Sequence, residues 1–174
     1  MRRAQKGDSS AMAEIYEANV EAIYRFIAFK VGDRQEAEDM THDVFLKVVE
    51  SIGSFQWRDI SLRAWIFRIA HNQIVDHLRR RSRRPSVSLD EEMPIPAPDD
   101  PAAEAELKVS MEQVTAAMAH LTEAQRQAVT LRFSGDLSIE EVAQVMKKKP
   151  GAIKALQHSG LASLRRILAG GGHT

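Results

Sequence analysis

Asn72, Asp76, Arg79, Arg80 and Arg83 are spaced i, i+4, i+7, i+8 and i+11, which places them on one stripe of an α-helix. Amide and carboxylate groups hydrogen-bond base edges, and guanidinium groups pair with phosphates, so the chemistry on offer is recognition of nucleic acid. Ile66, Ile69, Ala70 and Ile74 occupy the opposite side. The run Arg79-Arg80-Arg81, followed by Arg83-Arg84, also suits the negative end of a helix dipole, and the stripe alone favours that plainer reading. Phe55 and Trp57 precede this helix in a loop. Aromatic rings there can stack unpaired bases, worth about 1–3 kcal/mol per base. Large apolar residues more often fold inward. Phe55 is therefore expected in the core and Trp65 in packing, while Trp57 stays open between core and base stacking.

A second group lies near the C-terminus. Lys147-Lys148-Lys149 turns the chain, and Pro150 suits the first position of a helix carrying Lys154, Gln157 and His158. Two short helices around such a turn fit a helix-turn-helix, in which lysines attract phosphate and Gln157 and His158 reach base edges. An ordinary helical hairpin with solvated lysines remains the alternative. A third group, Glu36, Asp39 and Asp43, continues into Leu46 at helical spacing. Carboxylates beside an exposed leucine suit a protein partner with a basic, partly apolar surface. A solvated face with one stray leucine fits equally well.

Other chemistries lack residues. There is no cysteine, hence no disulfide, thiol nucleophile or thiolate metal site. No phosphate-cradling glycine loop, nucleophile elbow or His-Glu-x-x-His occurs, and the six histidines are scattered. No catalytic residue, cofactor or metal is expected. Apolar runs are only a few residues long and the N-terminus lacks a signal-peptide core, so membrane insertion is not expected and the expected location is cytoplasmic.

The net charge of zero conceals a pattern. Residues 1–84 hold 15 Lys/Arg against 12 Asp/Glu, residues 85–110 hold 1 against 7, and residues 111–174 hold 8 against 5. The acidic stretch also carries five of the six prolines, between Pro85 and Pro101, which removes backbone donors and disfavours helix. It reads as a flexible linker over 85–107 between two small domains, 1–84 and 108–174.

The rest is helical by period, giving an all-α chain. Asp8 or Ser9 caps a helix to about Val31, ended by Gly32. Asp33 and Glu36 open the next, which buries Met40, Val44, Val48 and Ile52 and stops at Gly53. A third runs from Ser61 to about Ser82. Beyond the acidic stretch, Glu104–His120 reads as helix, Thr122 and Gln125 box a helix to Phe133, and Ser138 and Glu141 box another to about Met146. The last runs from Pro150 to about Ala169.

Taken in order, four pieces resemble the extracytoplasmic-function class of bacterial sigma-70-type factors. They are Ala37-Glu38-Asp39-Met40-Thr41-His42-Asp43-Val44-Phe45-Leu46-Lys47-Val48; Leu62 to Asn72 continuing into Asp76-His77-Leu78-Arg79-Arg80; Leu121 to Phe133; and Leu137-Ser138-Ile139-Glu140-Glu141-Val142-Ala143. The resemblance implies a transcription initiation factor with two helical domains and no catalytic site. It implies that Asp39, Met40, His42, Asp43 and Leu46 meet the clamp helices of the largest subunit of core RNA polymerase, with a further contact to the polymerase flap. Trp57, Asn72, Asp76, Arg79, Arg80 and Arg83 would melt and capture the −10 promoter element. Lys148, Lys149, Lys154, Gln157 and His158 would read the −35 element in the major groove. The acidic linker would thread the polymerase channel, and an anti-sigma factor would clamp both domains. Two departures stand out: His42 replaces the usual glutamine, and Leu156 and Ser159 stand where many members carry arginine. Two rivals compete with this reading. One is an autonomous helix-turn-helix regulator; the other is a helical decoy or adaptor that binds polymerase without promoter recognition.

Overall fold

The computed structural model describes residues 2–56, 60–82 and 111–170, and among these there is no strand. Helix α1 (Arg2–Gln5) is followed by α2 (Ser9–Val31), α3 (Arg34–Ser51), a single 3-10 turn (Ile52–Ser54) and α4 (Leu62–Ser82). After the undescribed stretch come α5 (111–119), α6 (Glu123–Phe133), α7 (Ile139–Met146) and α8 (Pro150–Gly170). The linker expected over 85–107, and the start of the helix expected from Glu104, lie outside the described residues.

Local chemistry sets the helix ends. The Asp8 carboxylate accepts the Ala11 amide at 3.1 Å and so satisfies an orphan donor of α2. Gly32 closes that helix in the left-handed region (φ 84°), donating to the Ala28 carbonyl. Asp33 caps α3 by accepting from Glu36 N at 2.7 Å. The Glu36 carboxylate turns toward α4, 3.3 Å from His77 and 3.8 Å from Arg81. Thr122 with Gln125, and Ser138 with Glu141, form complete capping boxes on α6 and α7. Lys147 ends α7 in the left-handed region (φ 53°), which turns the chain sharply toward Pro150. Helix α1 has four residues, too few to show a period, and escapes sequence reading. It holds the loop after α3 through Gln5, whose amide donates to the carbonyls of Ile52 and Phe55 at 3.2 and 2.9 Å.

The first unit, α1 to α4, buries Ile23, Phe26, Ile27, Val44, Val48, Ile66, Phe67 and Ile74 almost completely. The Phe26 and Phe67 rings meet with centroids 5.4 Å apart. Phe55 is buried as expected and its ring lies 4.9 Å from that of Trp65. The buried polar side chains Asn19, Thr41 and Thr130 each donate to the carbonyl four residues back.

In the second unit, α6 and α8 approach closely at Gly160. A Cβ there would lie 3.0 Å from Val129 Cγ2 and 3.5 Å from Gln125 Cβ. The glycine, costly in a helix interior by about 1 kcal/mol relative to alanine, is thus explained by the packing it allows. Gly160→Leu is expected to destabilise the protein by about 1–3 kcal/mol in urea denaturation, through overpacking. Gly160→Ala should change stability by less than about 1 kcal/mol, because propensity gained offsets crowding.

The sequence reading did not anticipate that the two units touch. They do, along α4 with α7 and at the end of α2. Leu131, Leu137, Val142, Ala143, Val145 and Ile153 of the second unit belong to the same buried cluster as Phe26 and Phe67. Phe29 of α2 packs against a smaller cluster formed by Ala117, Met118, Leu121, Val129 and Leu164. Polar bonds seal the seam. Ser61 N donates to Gln144 Oε1 at 3.0 Å and Ser61 Oγ to Glu141 Oε1 at 3.2 Å. Arg63 Nη2 reaches the Gly135 carbonyl at 3.0 Å, and Arg68 Nη2 the Gln144 carbonyl at 2.7 Å. Gly135 itself leaves no room for a side chain: a Cβ would fall 2.7 Å from Phe67 Cε1.

Candidate nucleic-acid interface

Helix α4 turns Ile66, Ala70 and Ile74 inward, which leaves Asn72, Asp76, Arg79 and Arg80 exposed along the other side. Asp76 and Arg79 stand 4.0 Å apart, an exposed pair that solvent screens and that a phosphate or base can displace. Trp57 and Arg83, expected to complete this set, lie outside the described residues. His71 and His77 diverge, His71 toward α6 and His77 toward α3.

Helix α3 exposes Asp39, His42, Asp43 and Leu46, while Met40 is 9% exposed and belongs to the core. Met40 therefore supports this face from beneath and does not present a side chain to a partner. Val49, 57% exposed, extends the stripe by one further turn. Sequence reading missed it, although its i+3 spacing from Leu46 was the available signal. Tyr16 lies beside the same helix, its ring 4.7 Å from Phe45.

The helix-turn-helix is formed by α7, the Lys147–Lys149 turn and α8. Lys148, Lys149, Lys154 and His158 are exposed. Gln157 is half-buried, and its Oε1 accepts from Arg132 Nε at 3.2 Å. The two departures from the usual basic pattern have structural partners. Leu156 packs against the main core, and Ser159 Oγ accepts from Gln125 Nε2 at 3.0 Å. Ser159 serves the α6–α8 contact and Leu156 the core, and the outward face near the N-terminus of α8 carries Pro150, Gly151, Ala152, Lys154, Ala155 and His158.

Where the units meet, charge is concentrated. Lys30 is 3.7 Å from Glu123, and burial pushes its pKa down from the ordinary value, only partly offset by that carboxylate. Burial likewise lowers the pKa of His71, with Lys30 adding to the effect and Glu123 opposing it. Gln127 Nε2 lies 3.3 Å from both ring nitrogens of His71, and an amide donor there suits the neutral ring. A histidine whose pKa is lowered by packing binds fewer protons when the units are together than when they part. The seam is therefore at full strength above the ordinary value of 6.5 and loosens as pH falls below it. Titration from about pH 7.5 to 5.5, where carboxylates stay ionised, should enlarge the radius of gyration in X-ray scattering, and His71→Gln should flatten the response.

Two family models match this chain. Sigma-70 region 2 matches residues 15–84 and Sigma-70 region 4 matches residues 117–166. ECF RNA polymerase sigma factor BldN of Streptomyces coelicolor is 34% identical over 172 residues, covering 97% of this chain. The chain belongs to the sigma-70 family, in its extracytoplasmic-function class. It spans 64% of the length of BldN and 94% of that of ECF RNA polymerase sigma factor SigW of Bacillus subtilis, to which it is 27% identical over 184 residues. Two solved structures share the fold. CnrH in complex with the cytosolic domain of CnrY matches with a TM-score of 0.73 at 19% identity, over 97% of this chain and 94% of CnrH. Sigma factor RpoE in complex with the anti-sigma factor NepR from Bartonella quintana matches with a TM-score of 0.71 at 23% identity, over 90% and 96%. Among the described residues of this sigma-70 family member, no helix is long and apolar enough to cross a membrane.

Proposed function

We propose that this protein is a bacterial transcription initiation factor that binds core RNA polymerase, directs it to promoters and assists melting, acting by binding and not by catalysis. The observation that carries the reading is the exposed row Asn72, Asp76, Arg79 and Arg80 on a helix whose other side is buried, on one chain with a helix-turn-helix. In this reading residues 1–84 hold the polymerase and the −10 element, 85–107 form the acidic linker, and 108–174 read the −35 element. Asp39, His42, Asp43, Leu46 and Val49 meet the polymerase clamp, with Met40 beneath them, and the flap contacts the second unit. Trp57 and Arg83 join the −10 set, and Lys148, Lys149, Lys154, Gln157 and His158 form the −35 set. The protein works in the cytoplasm, where core polymerase and promoter DNA are found.

The closed seam bears on how it is controlled. The two promoter elements are about 25 base pairs apart, on the order of 80 Å at 3.4 Å per base pair. Helices α4 and α7, which pack directly on one another, must separate before both readers engage. The complex of sigma factor RpoE with the anti-sigma factor NepR supports a regulator of the same kind here, an anti-sigma factor that clamps both units. Leu46→Glu is expected to weaken binding to core polymerase at least about 30-fold in a pull-down titration, since a charge then enters the centre of an apolar contact.

A second reading, an adaptor that binds polymerase without promoter recognition, draws on the sparse outward face of α8, where Gly151, Ala152 and Ala155 offer no polar group. Reconstituted transcription separates the two. Core polymerase with this chain on fragmented host DNA should give new transcript 5′ ends sharing upstream elements at fixed spacing. Binding to core without new starts would favour the adaptor, and no binding to core would favour an autonomous regulator.

A further inference from the structure

A cavity of about 510 Å³ lies in the seam between the two units. Arg68, His71 and Asn72 of α4 form one wall, and Glu123, Ala124 and Gln127 at the start of α6 form another. Val145 and Met146, then Lys147 and Lys148, close it from α7 and the turn beyond. Its volume falls in the range of small-molecule sites, and seven of its ten lining residues are polar or charged, with Ala124, Val145 and Met146 as the apolar part.

The charge in this cavity is unbalanced. Arg68, Lys147 and Lys148 line it, Lys30 stands behind Glu123, and the carboxylate of Glu123 is already shared between Lys30 at 3.7 Å and Arg126 at 3.4 Å. Arg68 spends one nitrogen on the Gln144 carbonyl, and its Nε is buried with no hydrogen-bond partner among the described residues. Burial lowers the pKa of Lys30 and of His71 beside this cavity, and Glu123 opposes the shift in both. An anion with a second, flat part would satisfy each wall. Phosphate oxygens suit Arg68, Lys147 and Lys148, the side-chain amides of Asn72 and Gln127 suit the edge of a base, and Val145 with Met146 gives an apolar surface beneath it.

We propose that the cavity between α4, α6 and the α7–α8 turn is a regulatory site for a phosphorylated nucleotide, which bridges the two units and holds them closed. The consequence rests on the initiation-factor reading: a nucleotide bound here contacts Asn72 of the −10 set and Lys148 of the −35 set together, and so opposes promoter engagement. A ligand that binds the closed arrangement and not the open one shifts the population by its differential affinity alone.

The test uses the full chain with GDP, ATP, guanosine and inorganic pyrophosphate as separate probes in titration calorimetry, followed by NMR of the His71 ring. A nucleoside diphosphate or triphosphate should bind with a Kd below about 1 mM, and guanosine and pyrophosphate each at least about tenfold more weakly. Asn72→Ala and Lys148→Ala, both exposed positions, should each weaken binding about tenfold or more, because the ligand touches both units. Bound phosphate should also raise the titration midpoint of His71. Absence of binding by every probe to about 5 mM overturns the site. So does binding that pyrophosphate matches, or that Lys148→Ala reduces while Asn72→Ala leaves unchanged, since each describes a lysine surface and not a seam. These readouts need no polymerase. Failure here with successful promoter-directed transcription removes only the site; binding here without polymerase association removes the initiation-factor reading.

Discussion

Bridging residues 61 and 144 with a short, reducible cross-linker abolishes promoter-directed transcription, and reduction restores it. The natural chain has no cysteine, so Ser61→Cys with Gln144→Cys introduces the only two thiols. In the closed arrangement the Ser61 amide bonds the Gln144 side chain at 3.0 Å across the seam, which puts the two positions within reach of a short bridge. Promoter elements on the order of 80 Å apart cannot be read by helices tied together at that point. Loss of at least about 100-fold in specific transcripts is expected, with recovery to within about twofold after reduction. Each single-cysteine variant treated with the same reagent separates the bridge from damage at either residue. Full activity of the cross-linked protein would show that the units need not part.

Replacing Asn72 and Arg80 by alanine should collapse promoter opening and leave binding to core polymerase intact. Extruding and holding a base costs a few kcal/mol of stacking and pairing, which contacts made only in the open complex must offset. Both side chains are exposed on the face of α4 away from Phe67 and Ile74, so truncation removes no core contact. Losing an amide that reads a base and a guanidinium on phosphate is worth about 3 kcal/mol together, about a hundredfold in open complexes. Permanganate footprinting of unpaired thymines measures the opening, and a pull-down with core polymerase measures the binding. If a promoter with a premelted −10 segment rescues the double variant, the loss lies in melting and not in docking.

The helix caps and the inward faces were legible because their causes are local. Asp8, Gly32, Thr122, Ser138 and Pro150 act on backbone groups within four residues of themselves, and the apolar period of α2 and α4 specifies which side turns in. The same locality explains what was missed. Helix α1 is too short to show a period, and its role, Gln5 bonding carbonyls 47 and 50 residues away, is tertiary. Gly160 reads as a blemish in sequence and becomes a fitted contact once Val129 is placed against it.

The candidate site divides in the same way. The exposed row on α4, the acidic and apolar face of α3 and the basic turn before α8 follow from residue type and helical spacing, and a family resemblance gave them roles. The seam did not follow. Its one sequence signal was α7, where Ile139, Val142, Ala143, Val145 and Met146 make five of eight residues apolar, more than a helix facing a single neighbour requires. Sequence alone therefore determined the helices, their buried sides and the exposed chemistry, because these depend on interactions a few residues apart. The closed pairing of the two units, the burial of Lys30 and His71 and the cavity between Arg68 and Lys148 were decided only by tertiary structure. They depend on surfaces separated by some tens of residues meeting in shape and charge, and no period along the chain records that.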